Sequence, residues 1–150
     1  MIEWQWLAFE SIPRGDLYEV LRQRQEVFVL EQTCLYPDLD GHDQAAHHLM
    51  AWQTVAGERR LAAYLRCLAP GAKYTEMSLG RILTPATARG TGIGRQLVAE
   101  GIRRAEQQHP GHRIRIGAQQ RLEAFYQSFG FATISDPYDE DGIPHIDMLR

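Results

Sequence analysis

The run Arg89-Gly90-Thr91-Gly92-Ile93-Gly94 carries the residue types best suited to hold an anion. Glycines leave the main chain bare, so amide N–H groups close on a phosphate with no side chain in the way. Behind the turn, Ile93, Leu97, Val98, Gly101, Ile102 and Ala105 recur at helical spacing to about Gln108, which predicts an amphipathic helix with one buried stripe. The positive end of that helix points at the turn and makes the segment a phosphate site by construction. Spacing then narrows the ligand. A dinucleotide fingerprint needs a further glycine where Arg95 or Leu97 stands, and a P-loop needs a Gly-Lys pair that is absent. What remains is R-x-x-G-x-G.

Two neighbouring stretches bear on that pattern. Upstream, Met77-Ser78-Leu79-Gly80-Arg81-Ile82-Leu83-Thr84-Pro85 reads as a strand that stops at a proline. Downstream, Phe125-Tyr126-Gln127-Ser128-Phe129-Gly130-Phe131 reads as a helix end closed by glycine. In this order the segments resemble the cofactor-binding motifs of the GNAT N-acetyltransferase superfamily, in which R-x-x-G-x-G holds the pyrophosphate of coenzyme A. Arg24 to Gln32, Tyr36 to Gly41 and Asp141 to His145 are similar, more narrowly, to the ElaA-like branch.

The resemblance implies a fold, a cofactor and a set of roles. The fold is α/β, a mixed central sheet with two splayed strands and helices on both faces, and the cofactor is acetyl-CoA. Amides of Gly90, Thr91, Gly92, Ile93 and Gly94 would hold the pyrophosphate, with charge from Arg89 and Arg95. Backbone groups of Ile82, Leu83 and Thr84 would pair with the pantetheine arm, and Phe125 and Gln119 would border it. Gln119 stands where the family often has Asn, and Leu122 where an Ala is expected, so the arm can sit differently on this segment. Tyr126 matches the family tyrosine beside the sulfur and is the candidate acid for the departing thiolate; its place flanking Leu122, Phe125 and Phe129 also fits a core-edge role. Glu76, at the start of the central strand, is the candidate base, while Glu31, Asp40 and His145 lie on elements expected to border the acceptor.

The chemistry explains why those roles are needed. An alkyl amine ionises near 10.4, so it must lose a proton before attacking a thioester carbonyl. A strand N–H near Leu83 would stabilise the oxyanion that forms. Acidic runs at Asp38 to Asp43 and Asp136 to Asp141 point to a cationic acceptor, a small molecule or a peptide amine, if both border the pocket. A non-enzymatic acyl-CoA sensor is the alternative; it would need the glycine turn but neither acid nor base.

Length and composition set the frame. At 150 residues one domain over 1–150 is expected, and a net charge of −3 gives no general reason to expect nucleic acid or a membrane surface. Trp4, Trp6 and Phe9 alternate with polar residues, so the start reads as a strand and not as a signal peptide, and a cytoplasmic protein is expected. A homodimer is compatible with the sequence. Cys34 and Cys67 have no C-x-x-C partner, and His42, His47 and His48 lack a metal-ligand spacing, so no metal is expected.

The elements that must position these residues follow from periodicity. Ile2 to Phe9 alternates as a strand, and Asp16 with Glu19 reads as a capping pair opening a helix to about Glu31. Gln32 to Ala46 reads as a loop. His48 to Val55 and Arg60 to Leu68 form a hairpin around Ala56-Gly57-Glu58. After the long helix come a strand at Arg113 to Gly117, a helix at Gln120 to Phe129, and strands at Phe131 to Ile134 and Ile143 to Leu149.

Overall fold

A computed structural model describes the whole chain, Met1–Arg150. Its elements run β1 (Ile2–Ala8), α1 (Arg14–Arg24), β2 (His47–Val55), β3 (Glu58–Leu68), β4 (Met77–Leu83), α2 (Ile93–Gln108), β5 (Ile114–Gln119), α3 (Glu123–Gln127), β6 (Ala132–Thr133), β7 (Tyr138–Glu140) and β8 (Ile143–Leu149). The strands form an eight-stranded sheet in the order β1-β2-β3-β4-β5-β8-β6, with β7 paired to β8. β4 and β5 are parallel and the other pairs antiparallel, so the sheet is mixed as expected.

Strand alternation sends one set of side chains to each face. Leu49, Ala51, Leu65, Cys67, Met77 and Leu79 meet the stripe of α2, joined by Ile114, Ile116, Ala118, Ile146 and Met148. Met50, Trp52, Leu61, Tyr64 and Leu83 meet Val20 and Val27 on the opposite face. The buried residues of α2 are the six that its periodicity named. Gly101 is one of them because the helix lies close on β3: a Cβ there would stand 2.5 Å from Cδ2 of Leu65. Gly101→Val is therefore expected to lower unfolding free energy by about 1–3 kcal/mol in urea. A loss below about 0.5 kcal/mol would mean that α2 can slide outward at no cost.

Five local readings need correction. The first helix begins at Arg14 behind Pro13, with no side-chain cap. Asp16 instead takes two hydrogen bonds from Arg59, at 2.7 and 3.3 Å. Beyond Arg24 the helix widens into a π-helical stretch, Gln25–Glu31, so the 3.6-residue spacing does not hold to the end. The helix expected from Gln120 is a 3-10 turn, Gln120–Leu122, followed by the short α3, which leaves Gln119 as the last residue of β5. Finally, the acidic run near residue 140 contains a strand, β7, that alternation did not announce. The hairpin is tighter than read: Val55 pairs Glu58 around Ala56 and Gly57, both at positive φ.

Candidate functional site

β4 and β5 share only two register pairs, Met77 with Ile114 and Ser78 with Arg115, and then part. The cause lies in β4. Its register against β3 shifts between Tyr64–Leu83 and Arg66–Gly80, with Arg81 at φ 50° as part of the extra length. A bulge of this kind bends its strand and re-aims backbone groups. Past Ser78, main-chain groups of β4 thus face a gap, with Ile82 and Leu83 along its wall, while β5 stays paired through its other edge to β8. Thr84 follows the strand and returns through Pro85 and a 3-10 turn, Ala86–Ala88, to the glycine turn.

The turn has the geometry of an anion cradle. Gly90 and Gly92 sit at φ 78° and 82°, a region costly for any side chain. None of the amides from Gly90 to Arg95 donates a backbone hydrogen bond; the first that does is Gln96, to the Gly92 carbonyl at 3.3 Å. Gly92 caps α2 without a side-chain cap bond, so the helix end is open. The Thr91 hydroxyl turns inward to the Ala88 carbonyl at 2.7 Å, clearing the concave side.

The two arginines expected to add charge are already engaged. Arg89 forms a two-pronged pair with Glu31 at 2.6 and 3.0 Å and donates to the Thr84 carbonyl. This pairing raises the Arg89 pKa and lowers that of Glu31. Glu31 thus clasps the glycine turn to the end of the first helix. Arg95 lies over the Phe125 and Phe129 rings, 5.4 and 4.9 Å from their centroids, and donates to Ser128. Through it α2 is tied to α3, so Phe125 reaches the glycine turn through Arg95.

Tyr126 is buried among the side chains on the α2 face, in edge-to-face contact with Phe125 and Phe131. Burial pushes its phenol up to about 12, partly offset by the charge of Arg121. No hydrogen bond within the chain occupies its hydroxyl. Gln119 is engaged by Arg121, which donates to its side-chain oxygen at 3.0 Å.

Glu76 is not brought together with the rest. It precedes β4 at the end where β4 and β5 are still paired, and it lines a cavity of about 490 Å³ with Lys73, Tyr74 and Arg115. Seven residue steps along the strand separate it from Leu83, on the order of 20 Å. One thioester cannot use Leu83 as oxyanion donor and Glu76 as base.

Asp40 also has a different employment. It belongs to a buried ionic cluster that motif reading missed, formed by Arg24, Arg66 and Arg81 with Asp38, Asp40 and Asp43. Arg24 donates to Asp38 at 2.8 Å and to Asp43 at 2.7 Å. Arg66 binds both oxygens of Asp40 at 2.8 Å and reaches Asp43 at 3.0 Å. Arg81, in the bulge, pairs with Asp38 and Asp40. Burial would raise the Asp40 carboxyl, but Arg66, the His42 amide and Arg81 hold it well below its usual range. The acidic run at 38–43 is thus neutralised and is not a free anionic wall. The signal was present in the sequence: Arg24 falls on the buried stripe of its helix, and Arg66 interrupts an otherwise apolar strand.

The second acidic run keeps its charge at the surface beside β8. His145 stacks on Tyr138, whose hydroxyl donates to Asp147 at 2.6 Å, and Arg115 pairs with Asp147 at 2.6 Å. Gly117 leaves room for that hydroxyl, which would lie 3.2 Å from an added Cβ. The Cys34 thiol donates to Asp141 at 2.8 Å, so the loop after the first helix reaches the β7–β8 turn.

Comparison with known proteins fits this geometry. Residues 22–150 match the family model described as an acetyltransferase (GNAT) domain. A UPF0039 protein of Synechocystis sp. is 43% identical over 99% of this chain and 94% of its own length. Protein ElaA of Escherichia coli is 38% identical over 100% and 97%. Among solved structures, an acyl-CoA N-acyltransferase from Pseudomonas aeruginosa superposes with a TM-score of 0.93 at 38% identity, covering 100% of this chain and 99% of that one. The ElaA crystal structure gives 0.91 at 37% identity, with the same coverage.

Proposed function

Because the chain belongs to the GNAT acetyltransferase family, with ElaA among its relatives, we propose that it moves an acetyl group from acetyl-CoA to a primary amine by direct attack in a ternary complex. The observation that carries the reading is the run of undonated amides from Gly90 to Arg95 at the mouth of the β4–β5 gap. A diphosphate accepts hydrogen bonds from such amides, and the open end of α2 favours its charge. Acetyl-CoA supplies an activated acyl group as a thioester. The chain's own groups then bind and orient it: the Ile82, Leu83 and Thr84 main chain along the arm, and Phe125 beside it. A neighbouring β4 amide is available to the developing oxyanion, and the Tyr126 hydroxyl to the leaving sulfur.

Surface charge supports a cationic acceptor, but through one acidic run only. Asp136, Asp139, Glu140 and Asp141 are exposed, and no arginine neutralises them as it does the run at 38–43. The acceptor class is a polyamine, a lysine side chain or another compact cation.

Calorimetry with acetyl-CoA, followed by thiol release against a panel of primary amines, tests the reading. Binding with turnover is expected. Binding without thiol release for any amine would leave a CoA sensor, and no heat at millimolar ligand would remove both. Gly92→Ala adds a Cβ that meets no neighbour but is held at φ 82°. It should weaken acetyl-CoA binding about tenfold or more, the equivalent of the 1–2 kcal/mol such a residue costs in that conformation. Unchanged affinity would mean that the phosphates lie elsewhere.

A further inference from the structure

β8 brings one imidazole to the acceptor side in a fixed tautomer. Nδ1 of His145 lies 2.7 Å from the Ile143 carbonyl, an acceptor only, so Nδ1 carries the proton and donates it. Nε2 is left with its lone pair and looks toward Oε2 of Glu140 at 3.4 Å. Two acceptors facing at that distance can share a proton or an N–H donor between them.

The location matches. His145 pairs in register with Gln119, at the end of β5 that has parted from β4. Its neighbours Ile146 and Met148 point into the α2-side core, so alternation puts His145 on the other face, together with Tyr138 and Asp147. Tyr126 belongs to the α2 side. Tyr126 and His145 thus lie on opposite faces of the sheet, His145 on the strand next to the end of β5 that has parted from β4.

We propose that Nε2 of His145 takes the proton from the acceptor ammonium, with Glu140 stabilising the imidazolium that results. The role requires the acetyl-CoA-dependent transfer proposed above. The ammonium gives one proton to Nε2, and the nitrogen lone pair forms the C–N bond. The C–S bond breaks with its electron pair on sulfur, which takes a proton from the Tyr126 hydroxyl. The second nitrogen proton leaves as the tetrahedral adduct collapses and restores Tyr126 through water, and His145 returns its proton to solvent. Groups facing the ring are Glu140 and Tyr138 from β7, with Asp147 behind Tyr138 and Arg115 behind Asp147; its β5 neighbour Gln119 is uncharged.

Two readouts on the full chain test the role, with spermidine, an Nα-acetyl-lysine amide and a short peptide amide as probes. Nitrogen-15 spectra, assigned by loss of one ring in His145→Gln, should show a neutral Nδ1–H tautomer at pH 8 whose Nε2 resonance shifts when the reactive probe binds. In kinetics, the pH profile of wild-type kcat/KM should carry an acid limb that His145→Gln lacks. His145→Gln should lose roughly a hundredfold at pH 7, without weakening acetyl-CoA binding, and recover about tenfold per pH unit toward the amine's own pKa. An Nε2–H tautomer, or a His145→Gln rate within about threefold of wild type over the whole range, overturns the base role while leaving transfer intact. If wild type transfers acetyl to none of the probes, transfer fails and the base role fails with it.

Discussion

Asp43→Ala is expected to remove about 3–5 kcal/mol of unfolding free energy at pH 7.5, among the largest losses available to a single substitution in this chain. Asp43 is buried and receives hydrogen bonds from both Arg24 and Arg66, which are themselves buried. Without it, three guanidinium groups, Arg24, Arg66 and Arg81, share the remaining partners, Asp38 and Asp40, and a positive charge is stranded in the low-dielectric interior. The cost is that uncompensated charge and not the worth of the pair, so an apolar replacement does not relieve it. Urea unfolding is the measurement. A loss under about 1 kcal/mol would mean that water reaches the cluster and screens it.

The same cluster sets the response to acid. Burial holds His48 below imidazole's ordinary 6.5, where its neutral ring takes the Tyr64 hydroxyl on Nδ1 at 2.6 Å and donates from Nε2 to the Asp43 carbonyl at 2.9 Å. The unfolded chain takes up this proton first, so stability declines as pH drops below about 6.5. Burial would raise Asp43, but the hydrogen bonds and charges of Arg24 and Arg66 keep it below its ordinary 3.8. Its contribution is complete above 3.8 and is lost as pH falls through the lower folded value. Two-step acid weakening is therefore expected in wild type, and Asp43→Ala should shrink the lower step, to which Asp40 also contributes.

That cluster also marks where sequence reading ran out. The glycine turn, the α2 stripe and the strand ending before Pro85 were legible because backbone demands and a simple period specify them locally. Arg89 illustrates the limit: its type and position suggest a phosphate, yet its present partner, Glu31, lies 58 residues away in sequence. Asp40 and Glu76 failed for a related reason. Charge type says that a carboxylate exists, not which guanidinium reaches it or at which end of a strand it falls. The bulge at Arg81 is a case in between. Nothing in the spacing of residues 77–84 announces an extra residue, but an arginine there at positive φ is held by Asp38 and Asp40 from the preceding loop. The loop read as acidic surface is thus packed against the strand that opens the β4–β5 gap.

Tyr126→Phe separates chemistry from folding. The phenol is buried, holds its proton up to about 12, and donates it to no partner within the chain. At neutral pH it is therefore a full donor, the form that assists a departing thiolate. An ordinary thiol ionises near 8.5, so complete transfer from such a phenol requires that the sulfur share its apolar surroundings, where burial raises the thiol too. The ring contacts with Phe125 and Phe131 survive in phenylalanine, and no internal hydrogen bond is lost. Stability should change by less than about 1 kcal/mol, while kcat falls by roughly 10²–10⁴ and acetyl-CoA affinity stays near wild type. A donor that acts on the leaving group affects the transition state and not ground-state binding, which is why kcat and kcat/KM should drop together. Parallel calorimetry and thiol-release kinetics measure both quantities. If kcat is retained across the pH range, Tyr126 is a core residue and the sulfur takes its proton from water.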